Sequence, residues 1–317
     1  MGYTATNLRL GILTSGGDSP GTNAVVAGAC EQAERLGGRA FGIRGGFAGL
    51  AERRAGPVSS ADARARMNES GTWLGTSRWT ALKSPEGRAA CHRALRSLDL
   101  NGLLVIGGNG SAMGAQALAD GLPVAFVPAT IDRDIDRSES TIGMDSAIGY
   151  AVATIDQLRI TARSLPGRAF LVQTLGAPNG FLADAVAASA GIDHVLVPER
   201  EIDMEALAVA LRDLAPSGAA IAVMSEAVGD AVRIGEELAE RAGIRVHPTI
   251  LGHAQRASTP SLRDRAMGLA AGRAAVEALG EGRSTFISLG EDGSATALPL
   301  SSGAADQASP TSGRSRA

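Results

Sequence analysis

At 317 residues, with 44% hydrophobic and 20% charged residues, the chain has the composition of a globular protein that buries a core of its own. A formal charge of −3 gives no support to nucleic-acid or membrane-surface binding, and no apolar run reaches the ~18 residues of a membrane span. Cys30 and Cys91 stand far apart and the four histidines are scattered, so neither a redox motif nor a zinc site has a recognisable spacing. Met1–Leu10 lacks a signal-peptide core, so the expectation is a cytoplasmic protein with buried free thiols. Aromatic residues make up only 3%, which leaves the core to aliphatic side chains, alanine and glycine.

Leu8–Leu13 (LRLGIL) predicts a first buried strand, which runs into Thr14–Asn23 (TSGGDSPGTN) and then a helix over Ala24–Leu36. Strand, glycine-rich turn and helix aim backbone N–H groups and a positive helix end at a phosphate. The same glycines also suit a plain tight turn, and their spacing matches neither the dinucleotide fingerprint nor the lysine-bearing phosphate loop. Arg39–Ile43 is a second strand, followed by a loop over Arg44–Leu50 on which Phe47 either offers a stacking face or tucks inward. Ser70–Trp79 (SGTWLGTSRW) combines glycine, hydroxyls and Arg78, with Lys83 and Arg88 close behind. An arginine in such a loop approaches a polyphosphate as a bidentate donor, or simply stays solvated.

A helix is expected over Gly87–Ser97, then a strand over Gly102–Ile106, a second glycine-rich turn at Gly107–Ser111 (GGNGS) and a helix over Ala112–Ala119. In Leu122–Asp136 (LPVAFVPATIDRDID), Val124–Val127 reads as a buried strand that Pro128 ends, and a polar loop then presents Thr130, Asp132 and Asp134. If the chain stays extended there, alternation puts the two carboxylates on one side. They suit proton acceptance and the holding of a hard cation such as Mg²⁺, although a solvated turn is the plain alternative. Alternating strands and helices imply an α/β fold with a mainly parallel sheet, whose ligands sit beyond the carboxyl ends of the strands. All three polar loops fall at that edge.

Further on, Ser140–Ser164 reads as a long helix with Ile148, Val152, Ile155 and Leu158 on one face. Strands are expected at Arg168–Thr174, Asp193–Pro198, Ala219–Met224 and Thr285–Leu289, and helices at Leu182–Ala188, Ile202–Leu214, Gly229–Gly243 and Ser261–Gly280. Between them lies Thr249–Arg256 (TILGHAQR). Ser301–Ala317 has little to bury and reads as a disordered tail. The layout fits two lobes around a cleft, one built from 8–140 with 252–300 and the other from 141–251.

TSGGDSPGTN, SGTWLGTSR, IGGNGS, PATIDRDI, STIG, VLVPE and ILGHAQR stand in an order and spacing that resemble the phosphofructokinase family, from about Leu8 to Leu300. The resemblance implies a two-lobed α/β fold, a homo-oligomer of two or four subunits, and phosphoryl transfer to a hydroxyl of a sugar phosphate. By position it implies that Asp132 is the catalytic base, with Thr130 a neighbouring substrate contact and Asp134 and Asn109 at a magnesium site. Gly17, Arg78, Gly108, Asn109, Gly110, Ser111 and Gly114 match residues that line the phosphates of ATP. Phe47, Trp79, Lys83 and Arg88 match contacts to the nucleoside and phosphates. Arg168, Leu175, Gly176, Glu226, His247, His253 and Arg256 match acceptor positions, Arg168 reaching into a neighbouring subunit's site.

The departures from the family pattern are specific. Asn109 stands for the aspartate of GGDGS, Arg133 for an asparagine, and Leu175–Gly176–Ala177 for an MGR whose arginine faces the transferring group. His247 replaces an arginine, and Ala257 and Ser258 replace two glycines. One reading lets Arg133 replace the lost cation with a changed acceptor; another makes the chain a slow or non-catalytic binder. The resemblance also implies ATP rather than pyrophosphate as donor, since Gly110 and Ala129 stand where pyrophosphate users carry Asp and Lys. Ala27, Glu31 and residues 216–220 leave the family's effector site largely without basic residues.

Overall fold

The computed structural model describes residues 8–300 and holds two sheets. The larger is built from β1 (Arg9–Ser15), β2 (Arg39–Ile43), β3 (Ala55–Val58), β4 (Gly102–Gly107) and β5 (Val124–Pro128), joined late in the chain by two more strands. The smaller has β6 (Arg168–Thr174), β7 (Val195–Leu196), β8 (Ile221–Ser225) and β9 (Arg245–Ile250). β10 (Thr285–Leu289) and β11 (Ala295–Pro299) return to the first sheet, giving orders β11-β10-β5-β4-β1-β2-β3 and β7-β8-β6-β9. Only the two outer pairings of the large sheet, β2–β3 and β10–β11, are antiparallel. Every residue of β4 and β5 is buried, as parallel strands covered on both faces require.

Alternation sorts the large sheet's core. Leu10, Ile12, Leu104 and Ile106 face α1 (Thr22–Arg35) and the last helix of the described residues, which precedes β10. α3 (Ser60–Arg66) packs on α1 on that same face, while Leu13, Leu103 and Val105 face the opposite layer of α2 (Gly46–Ala51), α4 (Pro85–Ser97) and α5 (Asn109–Leu118). The small sheet lies between α6 (Met144–Ser164) with α7 (Phe181–Ala190) on one side and α8 (Met204–Leu214) with α9 (Ala231–Ala242) on the other. α10 (Leu262–Gly280) packs on α1 so closely that a Cβ at Gly28 would lie 2.2 Å from the Leu269 carbonyl oxygen.

Several expectations are corrected. Residues Arg44–Leu50 are not an open loop: α2 fills most of them. The helix after β4 begins at Asn109, so most of the second glycine turn is helix rather than loop. The expected strand at Asp193–Pro198 pairs over two residues only, and β3, β9 and β11 were not anticipated. All three lie at sheet edges, where AGPV, RVHPTI and ATALP carry proline and stay partly exposed instead of forming an apolar run. The segment read as a disordered tail, 301–317, lies outside the described residues. Among the described residues no helix is long and apolar enough to cross a membrane.

Candidate active site

Three connections leave the carboxyl edge of the large sheet and meet. The first follows β1: a methyl group at Gly16 would lie 3.5 Å from Ser111 Oγ, and one at Gly17 3.4 Å from an Arg256 guanidinium nitrogen. Ser111 donates its hydroxyl to the Ser15 carbonyl at 3.0 Å, which locks the start of α5 against the end of β1. Gly108 and Gly110 would meet nothing within 4 Å if given a Cβ, so the α5 N-terminus opens onto free space, as an anion cradle requires.

The third connection follows β5. Ala129 bridges to Ile142, and the Thr141 hydroxyl donates to the Thr130 carbonyl at 2.7 Å, closing the loop at its base. Within it, Thr130 Oγ1 accepts from the Asp132 amide at 3.2 Å and donates to Asp132 Oδ2 at 3.3 Å. Arg256 completes the setting with an ion pair to Asp132 Oδ2 at 3.2 Å, both side chains mostly buried. The chain is not extended between the two carboxylates, because Arg133 adopts a left-handed φ of 48°. Asp132 therefore turns to Arg256, while Asp134 turns to α5, where the Asn109 side-chain amide donates to its carboxylate and carbonyl at 2.8 Å each. Partial burial and then the neighbouring Asp132 charge push the Asp134 carboxyl above its usual range.

Arg133 is fixed on the other side of that loop. It pairs with Glu291 at 3.1 Å and its guanidinium lies 4.1 Å from the centre of the Phe181 ring, at the start of α7. Sequence reading missed Asn179 beside it, whose amide reaches the Asp132 carbonyl at 3.4 Å. Leu175, Gly176 and Ala177 border this region, but Glu226 is engaged as a brace: its carboxylate accepts from the Gly176 and Ala177 amides at 3.1 and 3.2 Å. Buried Gln255, also missed, accepts from the Leu175 amide at 3.0 Å and donates to the Ala147 carbonyl at 3.2 Å. It lies in a 3₁₀ turn, Gly252–Ala257, whose threefold repeat puts His253 and Arg256 on the same edge.

Arg78 is exposed beside the first turn, where the Ser77 hydroxyl holds the Gly45 carbonyl and Thr76 holds that of Gly16. Trp79 is partly buried, Lys83 is exposed, and Arg88 donates to the Lys83 carbonyl. Some expected contacts lie elsewhere than the sequence reading implies. Phe47 is buried rather than offering a stacking face, and its ring fills the space that a side chain at Gly114 would need. Gly114 is accordingly a glycine against which Phe47 and Leu82 pack. Arg168 is not brought to the site within the chain: it starts β6, roughly 20 Å of strand from Leu175. His247 sits opposite Phe170 on β9, also on that remote part of the sheet. Arg168 Nε and His247 Nε2 are both buried and have no hydrogen-bond partner among the described residues.

A mainly parallel sheet with two glycine turns and a carboxylate–arginine pair at its carboxyl edge belongs to the phosphate-handling class of α/β proteins. Residues 9–279 match the Phosphofructokinase family. The chain is 36% identical over 299 residues to ATP-dependent 6-phosphofructokinase 1 of Thermus thermophilus, covering 92% of each. The phosphofructokinase of Pichia pastoris superposes with a TM-score of 0.85 at 26% identity, over 93% of this chain and 37% of that one. A pyrophosphate-dependent phosphofructokinase from Marinobacter aquaeolei gives 0.84 at 20% identity, covering 94% of this chain and 84% of its own, a likeness of fold alone. The chain belongs to the phosphofructokinase family.

Proposed function

We propose that the protein is an ATP-dependent kinase that transfers the γ-phosphoryl group to a hydroxyl of fructose 6-phosphate. The observation that carries this reading is Asp132, held by Thr130 and Arg256 where the first glycine turn meets the loop after β5. Phosphoryl transfer demands positioning and charge neutralisation more than covalent help from the protein. In this reading the α5 N-terminus and Arg78 take the phosphates of ATP, Asp132 accepts the proton of the attacking hydroxyl, and His253 and Arg256 face the anionic end of the acceptor. Arg133, braced by Glu291 and Phe181, contributes a fixed cation beside the loop that carries Ala177.

The donor set fits magnesium in kind, because Asp134 and Asn109 stand side by side and supply hard oxygens. Bound with the nucleotide, Mg²⁺ would neutralise charge on the transferring phosphate. The open space around Gly110 supports a nucleotide donor. The unpartnered Arg168 Nε and His247 Nε2 support a homo-oligomer in which the acceptor site is completed across a subunit boundary. Ala27 and Glu31, in place of basic residues on α1, support the absence of the family's usual nucleoside-diphosphate or phosphoenolpyruvate control. The two sheets support a larger lobe of 8–140 with 252–300 and a smaller one of 141–251.

ATP and pyrophosphate should be screened against sugar phosphates, sugars and nucleosides with Mg²⁺, and the product's phosphate positions read by NMR. The reading expects a bisphosphate from ATP and fructose 6-phosphate. Preference for pyrophosphate, or no turnover with any acceptor, would contradict it.

A further inference from the structure

Asp264 is a fully buried carboxylate that phosphoryl transfer, as described above, does not use. It stands in the first turn of α10, yet its acceptors serve another helix. α6 has no side-chain cap of its own: its N-cap residue is Gly143, with a left-handed φ of 105°. Asp264 supplies the cap from outside, Oδ1 accepting from the Gly143 amide and Oδ2 from the Ser146 amide, both at 2.9 Å, while the Ser146 hydroxyl also donates to Oδ2. Ser146 Oγ in turn accepts from the Ser261 amide at 2.9 Å, and Ser261 Oγ from the Asp264 amide at 3.1 Å. Buried N–H groups at a helix start need such partners, and a carboxylate there is favoured by the helix dipole.

What this cap holds is the end of the loop that carries Asp132. Gly143 follows Ile142, whose carbonyl accepts the buried Ser19 hydroxyl from the first glycine turn at 2.6 Å. The neighbouring Thr141 hydroxyl ties back to Thr130, which orients Asp132. Space is tight as well: a Cβ at Gly143 would lie 1.9 Å from Ser19 Oγ, and one at Gly21 3.1 Å from Asp264 Cβ. The phosphate turn, the loop of the base and the α6 N-terminus therefore close on one buried carboxylate.

We propose that Asp264 is a positioning residue for phosphoryl transfer, fixing Asp132 through the Gly143–Ser146 end of its loop. The inference rests on Asp132 being the base. Asp264→Asn keeps size but offers one acceptor oxygen and an NH₂ that cannot accept from the Ser146 amide.

The test measures kcat and KM for ATP and fructose 6-phosphate in Asp264→Asn, alone and in an Asp132→Asn background, with folding checked by circular dichroism. Alone it should lower kcat on the order of 10- to 100-fold, as a small displacement of a base does, with KM for ATP within about 3-fold. In the Asp132→Asn background the same change should lower the residual rate by less than about 2-fold, because no base remains to misplace. Equal losses in both backgrounds, or a kcat within about 2-fold of the parent, would overturn the proposal. If Asp264→Asn does not fold, Ser146→Ala removes one of the three donors and should lower kcat by about 3- to 10-fold; an unchanged kcat there overturns it too. Turnover retained by Asp132→Asn alone would instead overturn the base assignment beneath it.

Discussion

Asp132 and Arg256 form an ion pair of 3.2 Å that joins the loop after β5 to the 3₁₀ turn before α10, with Gly17 against the same guanidinium. One arginine thus touches the carboxylate assigned as base, the phosphate turn and the edge shared with His253. In a bound state it can serve the acceptor's anionic group while still bordering Asp132.

Arg256→Ala should consequently hurt both binding and turnover. Removing one partner of a largely buried, hydrogen-bonded charge pair lowers kcat/KM for fructose 6-phosphate on the order of 10²-fold, with KM for ATP little changed. Steady-state kinetics with each substrate varied checks this; an effect confined to ATP would place Arg256 wrongly.

Asn109→Asp tests the metal site. Asn109 donates to the Asp134 carboxylate, whereas an aspartate there has no proton to give and adds like charge. Without Mg²⁺ the variant should melt lower than the parent. With Mg²⁺ and ATP it should reach half-maximal rate at a several-fold lower metal concentration, because a second carboxylate strengthens a hard-cation site. Titration of rate and Tm against Mg²⁺ reads both.

Gly110→Asp should separate the two donors. Its Cβ would enter open space beside the α5 N-terminus, so the fold tolerates it, while the added charge meets the nucleotide's phosphates. KM for ATP should rise by at least about tenfold, and melting should shift by no more than a degree or two, as for an exposed substitution.

Asp264 gives a pH signature. Burial pushes its carboxyl above the usual range, against the opposing hydrogen bonds from Ser146 and Gly143, with the charge of Asp145 adding to the rise. A raised folded-state pKa means that the native state holds the proton more tightly. The stability Asp264 contributes is therefore full below the unfolded carboxyl value of about 3.9 and is lost as pH rises through the raised one, at most about 1.4 kcal/mol per pH unit. The Tm advantage of the parent over Asp264→Ala should shrink between pH 4 and pH 7; an advantage that grows would reverse the sign.

Much of this was legible in residue order. β1, β4, β5, β6 and β8 centre on apolar runs, and such runs announce buried parallel strands. The base loop and both glycine turns were visible because few other patterns put so many glycines and carboxylates directly after a strand. What escaped depends on distant partners. The left-handed Arg133 is set by Glu291 and Phe181, far away in sequence. Phe47 reads as a loop aromatic until Gly114 leaves room for its ring. Gln255, Asn179 and Asp264 act through backbone groups of other segments, which no local spacing reveals; the buried polar residues nearest a recognised loop were the available signal.

Everything proposed above depends on Asp132 taking the proton of the attacking hydroxyl. The direct measurement is single-turnover transfer from ATP to fructose 6-phosphate by Asp132→Asn, alongside equilibrium binding of both ligands. Binding within about threefold of the parent and a transfer rate lower by at least about 10³-fold is the predicted result. A transfer rate within tenfold of the parent, in protein that binds both ligands normally, would contradict it.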